Sequence, residues 1–241
     1  MTPQHLYAVT EATWPAAATE TVGPWTIRDG QGGGKRVSAA TARQPVTPDD
    51  LPMAESAMQA LGQTPLFMIR QGDEALDTML ADQGYAVIDP VNLYVAPVAD
   101  LAVPPPHATT FVIWEPLAIQ RDMWAEGGIG PARLAVMERA APPKTTIIAR
   151  DGQRPAATAF VGIHDGTAMI HALEVTPECR RHGIGKRVVH QATLWAQQNG
   201  ASHVAALCTQ ANTGANALYA ALHMALAGQY HYRIKEEANP T

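Results

Sequence analysis

The chain has 241 residues, of which 46% are hydrophobic and 16% charged, enough to bury one large core or two small ones and too apolar for a disordered segment. Seventeen Lys and Arg against 22 Asp and Glu leave a formal charge of -5, so there is no bulk attraction to nucleic acid or an anionic membrane, and only local basic patches remain open. The two cysteines, Cys179 and Cys208, can pair in principle, but they form no CxxC element. Their low number, and a Met1 to Val22 segment without a basic start and apolar run, favour a reducing cytosol. No stretch supplies the roughly 20 apolar residues of a membrane span, so a soluble cytoplasmic protein is expected.

In chain order, Trp25 to Arg28 and Lys35 to Ala39 read as two short strands around the glycine-rich turn Asp29 to Gly34. Pro48 to Leu61 reads as a helix, opened by Thr47 with early Asp49 and Asp50, its apolar residues at helical spacing. Leu66 to Ile69 follows as a strand and Glu74 to Gln83 as a helix closed by Gly84. Tyr85 to Val87 is another strand, and Asn92 to Ala96 extends the sheet after Asp89-Pro90.

Pro97 to His107 contains four prolines, three of them consecutive, which bars a regular helix or central strand and places the domain boundary there. Residues 1-103 are expected as one domain and 108-241 as a second. In the second, Thr110 to Ile113 is a strand, and Leu117 to Glu126 and Pro131 to Ala140 are helices. Thr145 to Arg150, Arg154 to Ile163 and Thr167 to Val175 form a meander with turns at Asp151-Gly152 and Asp165-Gly166. A helix over Gly185 to Asn199, a buried strand over His203 to Cys208, a helix over Gly214 to Leu222 and a strand over Gln229 to Ile234 complete the order. The fold class is α/β, a mixed α+β sheet covered by helices. Leu66 to Ala96 repeats part of this order.

Between the meander and the long helix lies Arg180-Arg181-His182-Gly183-Ile184-Gly185-Lys186. Positive charge, two unencumbered glycine amides and a helix N-terminus meet there, as a pyrophosphate requires. Gly183 and Gly185 permit positive φ or close backbone approach, and Arg180, Arg181 or Lys186 can neutralise phosphate oxygens. The segment lacks the Gly-Lys-Ser/Thr ending of a P-loop and the three-glycine dinucleotide fingerprint. A helix start with glycines for packing and solvated arginines is the competing reading.

Leu173 to Gly185 resembles the acetyl-CoA motif of the GCN5-related N-acetyltransferase (GNAT) superfamily, with its Arg/Gln-x-x-Gly-x-Gly/Ala pattern. Asn212-Thr213-Gly214-Ala215-Asn216-Ala217-Leu218-Tyr219 is similar to that superfamily's Asn-x-x-Ala-x-x-Leu-Tyr segment. One helix and one strand separate the two, as in the family. The resemblance covers Thr145 to Ile234, and the N-terminal half looks like a degenerate partner domain. It implies a GNAT-like fold and direct transfer of an acetyl group from acetyl-CoA to a primary amine, with no covalent enzyme intermediate. By the same resemblance, Arg180 fills the motif's first position and the amides of Arg181, His182, Gly183, Ile184, Gly185 and Lys186 bind pyrophosphate. The amide of Leu173 or Val175 polarises the thioester carbonyl, Asn212 contacts the cofactor arm, and Tyr219 protonates the departing thiolate. Leu222-His223-Met224 replaces the usual Leu-Gly-Phe, so the turn into the final strand departs from the pattern.

A protonated amine does not attack a thioester, so a proton must leave at or before attack. Glu174 is the base candidate and His171 the second, but strict alternation places them on opposite strand faces, only one toward the acceptor. Glu174 also reads as a structural acceptor and His171 as an ordinary polar strand residue. Tyr219 reads as acid or aromatic anchor, Asn212 as cofactor contact or helix cap, and Cys208 as a core thiol. No cysteine pair or HxxxH element offers a metal site. The expected partners are acetyl-CoA and an amine-bearing small molecule or peptide, with a homodimer open. The alternative function is a noncatalytic acyl-CoA-binding or regulatory protein on the same scaffold.

Overall fold

The computed structural model describes residues 1–235. The elements in chain order are α1 (Pro3–Thr13), β1 (Ala18–Val22), β2 (Trp25–Asp29), α2 (Lys35–Ser38), β3 (Thr41–Ala42), α3 (Leu51–Ala60), β4 (Leu66–Arg70), α4 (Glu74–Asp82), β5 (Tyr85–Pro97) and α5 (Val98–Leu101). Then come β6 (Thr110–Ile113), α6 (Ala118–Glu126), α7 (Pro131–Arg139), β7 (Lys144–Asp151), β8 (Arg154–His164), β9 (Thr167–Val175), α8 (Ile184–Gln198), β10 (His203–Thr209), α9 (Thr213–Ala221) and β11 (Ala225–Lys235).

The chain forms two compact units. The first comprises Met1–Pro15, Leu93–Cys208 and Asn212–Ala227; the second Ala16–Asn92, Thr209–Ala211 and the described residues from Gly228. A boundary at Pro97 to His107 therefore falls inside the first unit. α1, far away in sequence, belongs to that unit, and most of β11 belongs to the second. A local break in composition marks where regular structure stops, whereas unit membership follows from pairing between distant segments.

In the first unit the strand order is β5, β10, β9, β8, β7, β6. β6 to β9 are antiparallel neighbours, while β10 runs parallel to β9. One face of this sheet carries α8, whose Ile184, Val188, Val189, Ala192 and Ala196 pack with Ala157, Ala159, Val161, Ala168 and Ile170. The small residues of β8 let a 15-residue helix lie close to the strands. The other face receives α1 and α6. Thr13 of α1 meets β9 through its hydroxyl, 2.8 Å from Nε2 of His171, and α1 also abuts β8 where a Cβ at Gly162 would lie 2.9 Å from the Thr13 Cβ. α5 packs beside α8, with the His190 ring nitrogen 2.8 Å from the Leu101 carbonyl oxygen.

The second unit holds β4, the part of β5 up to Asn92 and β11 from Gly228, together with the antiparallel trio β1-β2-β3. Its core is Trp25, Ile27, Leu51, Met58, Phe67, Leu80 and Tyr85. Lys35 to Ala39, read from sequence as the second strand of a hairpin, is instead the short helix α2; the hairpin partner of β2 is β1, with Val22 opposite Trp25, and β3 pairs the other edge of β2. The turn is Gly23-Pro24, with Gly23 at φ +55°. The glycine run misled because one of its members serves packing: a Cβ at Gly30 would lie 2.1 Å from the Ser38 hydroxyl of α2. Tyr85 to Val87 and Asn92 to Ala96, read as two strands around Asp89-Pro90, are one continuous strand, β5, and the final strand begins at Ala225, four residues before Gln229. The other predicted elements correspond to strands and helices with ends shifted by a residue or two.

Candidate active site

The site grows from one irregularity in β9. Phe160 pairs with His171 and Thr158 with Glu174, so Ala159 alone faces Ala172 and Leu173. This is a β-bulge, and Ala172 adopts φ +51° within it. The extra residue resets the alternation. Phe160 and Thr158 share a face of β8, so His171 and Glu174 share a face of β9 and do not lie on opposite faces as strict alternation predicts. Leu173 and Val175 turn to the α8 side and pack on its core cluster.

The pairing of β9 with β10 runs from Thr167↔His203 to Ile170↔Ala206, ending just before the bulge, although both strands continue. The parallel strands thus part where β9 changes face. Beyond Val175 a 3-10 turn over Pro177–Cys179 leads into the basic loop. Arg181 has φ +68° and Gly183 φ +76°, and Gly183 is the N-cap of α8 without a side-chain cap or an acidic residue in the first turn. A long helix presenting uncapped N–H groups and its positive dipole end beside exposed Arg181 and Lys186 is suited to an anion. His182 is exposed with Nδ1 3.4 Å from the Asp151 carboxylate. Ile184 is buried and anchors the helix start. Gly185 has a packing role: a Cβ there would stand 3.1 Å from Leu218 Cδ2 of α9.

Glu174 and Arg180, assigned to different tasks, are joined. Arg180 donates from Nη2 to Glu174 Oε1 at 3.1 Å and from Nε to the Val175 carbonyl at 3.0 Å. His171 is buried at 3% exposure, bonded to Thr13 and stacked on Trp14 with ring centroids 5.0 Å apart. It is a core histidine beneath α1.

On the β10 side, Tyr219 is buried and its ring lies 5.3 Å from that of Tyr94. Burial, reinforced by Cys208 and Tyr94, pushes its phenol far above the ordinary range, so it is protonated at neutral pH. Asn212 caps α9, its Oδ1 accepting from the Ala215 amide at 3.0 Å. Cys208 is a free, buried thiol, as is Cys179.

Sequence reasoning missed Tyr94, whose hydroxyl donates to Asn216 Oδ1 at 2.8 Å, because nothing local connects β5 to α9. It also missed Trp124 and Gln120, whose spacing of four on α6 was the available signal. Among the described residues there is no group of three His, Cys, Asp or Glu suited to a metal ion, and no helix is long and apolar enough to cross a membrane.

A mixed sheet whose parallel strands separate at a bulge, with a glycine-opened helix N-terminus following, defines an acyl-CoA N-acyltransferase fold. Residues 113–224 match the model of the Acetyltransferase (GNAT) family. The chain is 28% identical over 234 residues to "Uncharacterized N-acetyltransferase YobR" of Bacillus subtilis (strain 168), covering 93% of this chain and 95% of that protein. A GCN5-related N-acetyltransferase from Kribbella flavida superposes with a TM-score of 0.71 at 18% identity, covering 98% of this chain and 96% of the other. A tandem GNAT protein from the clavulanic acid biosynthesis pathway superposes with a TM-score of 0.57 at 14% identity, covering 84% and 76%. The similarity to the GNAT family thus lies over residues 113–224, and the superpositions extend the likeness of fold across most of the chain.

Proposed function

We propose that the protein is a cytoplasmic N-acetyltransferase that moves an acetyl group from acetyl-CoA to a primary amine of a small molecule or peptide. The observation that carries this reading is the acid-free, uncapped N-terminus of α8 directly after a strand that parts from its parallel neighbour. Left-handed Gly183, with no neighbouring atom within 4 Å of its missing Cβ, fits close approach of a phosphate. In this assignment the amides from Arg181 to Lys186 hold the pyrophosphate, and Leu173 and Val175 present backbone groups to the acyl end. Asn212, while capping α9, meets the pantetheine arm.

Acetyl-CoA supplies an acyl group activated as a thioester. Glu174, on the α6 face of β9, accepts the ammonium proton, directly or through water, so that the neutral amine attacks. Tyr219, kept protonated by burial, donates its proton toward the leaving sulfur. The order β4, α4, β5 in the N-terminal half supports reading it as a degenerate GNAT-like domain without a phosphate loop.

The engagement of Glu174 by Arg180 favours a second reading, a noncatalytic acyl-CoA-binding protein whose carboxylate is structural. Calorimetric titration with acetyl-CoA, desulfo-CoA and adenosine diphosphate, followed by thiol-release assays across amine and peptide panels, separates the two. One-to-one acetyl-CoA binding with acceptor-dependent thiol release supports the enzyme. Binding with no release across the panels supports the second reading, and no binding to any of the three rejects both.

A further inference from the structure

We infer that one face of α6 is the positioning element of the β9 bulge, with Trp124 as the positioning residue for the acyl end of acetyl-CoA; this rests on the function proposed above. Gln120, Trp124 and Gly127 follow at i, i+4 and i+7, so they line one side of the helix and its cap. Each meets a different part of the bulge. Gln120, 0% exposed, donates from Nε2 to Thr158 Oγ1 at 3.1 Å, on the β8 residue opposite Glu174. Its Oε1 accepts from the Leu117 amide at 3.0 Å, which fixes its orientation. Trp124, also 0% exposed, donates from Nε1 to the carbonyl of Ala172 at 2.8 Å. A Cβ at Gly127 would lie 2.9 Å from Cγ and Cδ of Glu174, so the helix cap and that side chain are in close contact.

The Trp124 bond matters most because of where its acceptor lies. Ala172 is the residue with φ +51°, a conformation that costs an L-residue energy and persists only when its surroundings impose it. The bonded carbonyl belongs to the peptide whose nitrogen is that of Leu173. Holding the oxygen on the α6 side fixes the plane of that peptide, and therefore the direction of the Leu173 N–H. Trp124 acts on the acyl group through this amide and touches no reacting atom.

The test compares Trp124→Phe, which keeps the ring and removes the donor, with Trp25→Phe in the second unit. Trp25 makes a like bond, Nε1 to the Asp50 carbonyl at 3.0 Å, remote in sequence and unit from the bulge. Calorimetry measures Kd for acetyl-CoA and for CoA in each folded variant. In Trp124→Phe the Kd for acetyl-CoA rises about fivefold while that for CoA changes less than about twofold, the size expected for loss of one hydrogen bond. Trp25→Phe leaves both unchanged, which separates positioning from general loss of stability. Gly127→Ala, which adds one methyl at a position of ordinary φ, gives the same pattern and serves if Trp124→Phe does not fold. Equal acetyl-CoA affinity in wild type and both α6 variants overturns the inference while leaving the function standing. Wild-type protein that binds neither ligand overturns the function and the inference with it.

Discussion

Arg180 reaches back from the basic loop to the carboxylate of Glu174, placing an Nη2 to Oε1 bond of 3.1 Å between the phosphate-loop candidate and the base candidate. Both side chains retain solvent contact, so the pair contributes little to stability. Glu174→Gln is therefore expected to leave the melting temperature nearly unchanged and CoA affinity intact. It lowers kcat/KM on the order of 100-fold, the usual scale for loss of a general base. Steady-state kinetics beside thermal melting checks this; unchanged turnover assigns the carboxylate a structural role.

Tyr219→Phe is expected to lower kcat by at least about tenfold with little change in acetyl-CoA affinity, because a phenol donating to the leaving thiolate acts in the transition state. Burial raises its pKa, so its ionisation contributes no fall in rate between pH 7 and 9. A pH-rate profile of wild type and variant tests both statements. Equal rates for the two proteins across that range assign Tyr219 to packing against Tyr94 alone.

Gly185→Val places branched carbon beside Leu218 of α9, already 3.1 Å from an added Cβ. The displaced pair is the start of α8 and the helix that carries Tyr219. Acetyl-CoA affinity is expected to fall by more than about tenfold, and turnover with it, while far-UV circular dichroism retains its helical signal. Wild-type affinity in the folded variant removes the packing argument.

Burial pushes the Cys208 thiol from an ordinary 9.0 up to about 11. The unfolded chain then releases this proton before the folded chain does. Its contribution to stability is fully present below pH 9 and is lost as pH rises from 9 to about 11. Denaturant midpoints measured from pH 8 to 11 are expected to decline less steeply in Cys208→Ala than in wild type. Parallel slopes contradict the assignment.

Asp77 behaves in the opposite sense. Burial alone raises its pKa, but hydrogen bonds from Arg233 and then His231, both at 2.7 Å, outweigh this and leave it below the ordinary 3.8. The folded chain binds fewer protons, so the stabilisation is present above pH 3.8 and is lost as pH falls through the lowered native value. Asp77→Asn is expected to cost about 1–3 kcal/mol at pH 7, the range for disrupting charged hydrogen bonds. Acid and urea titrations check both the size and the pH window.

Much of the first unit was legible because its signals are local. Asp151-Gly152 and Asp165-Gly166 mark the meander turns, and the apolar spacing from Ile184 to Ala196 marks α8. α1 and β1 were not legible, since Met1 to Val22 has weak periodicity and is organised by what it packs on. Asp29 to Gly34 shows the reverse case, where a strong turn signal led to a strand and the chain formed a helix.

The sequence by itself determined the basic glycine loop, its place between a strand and a long helix, and the second motif ending at Tyr219, because charge, backbone freedom and periodicity are properties of contiguous residues. Only the tertiary structure decided that His171 is locked to Thr13, that Glu174 is held by Arg180, and that the two share a face. The face is set by one extra residue at Ala172, and that bulge is bound by Trp124 from a helix 48 positions earlier in the chain. Alternation along a strand carries no record of such a partner. The free energy that holds Ala172 at positive φ comes from contacts which exist only once the chain has folded.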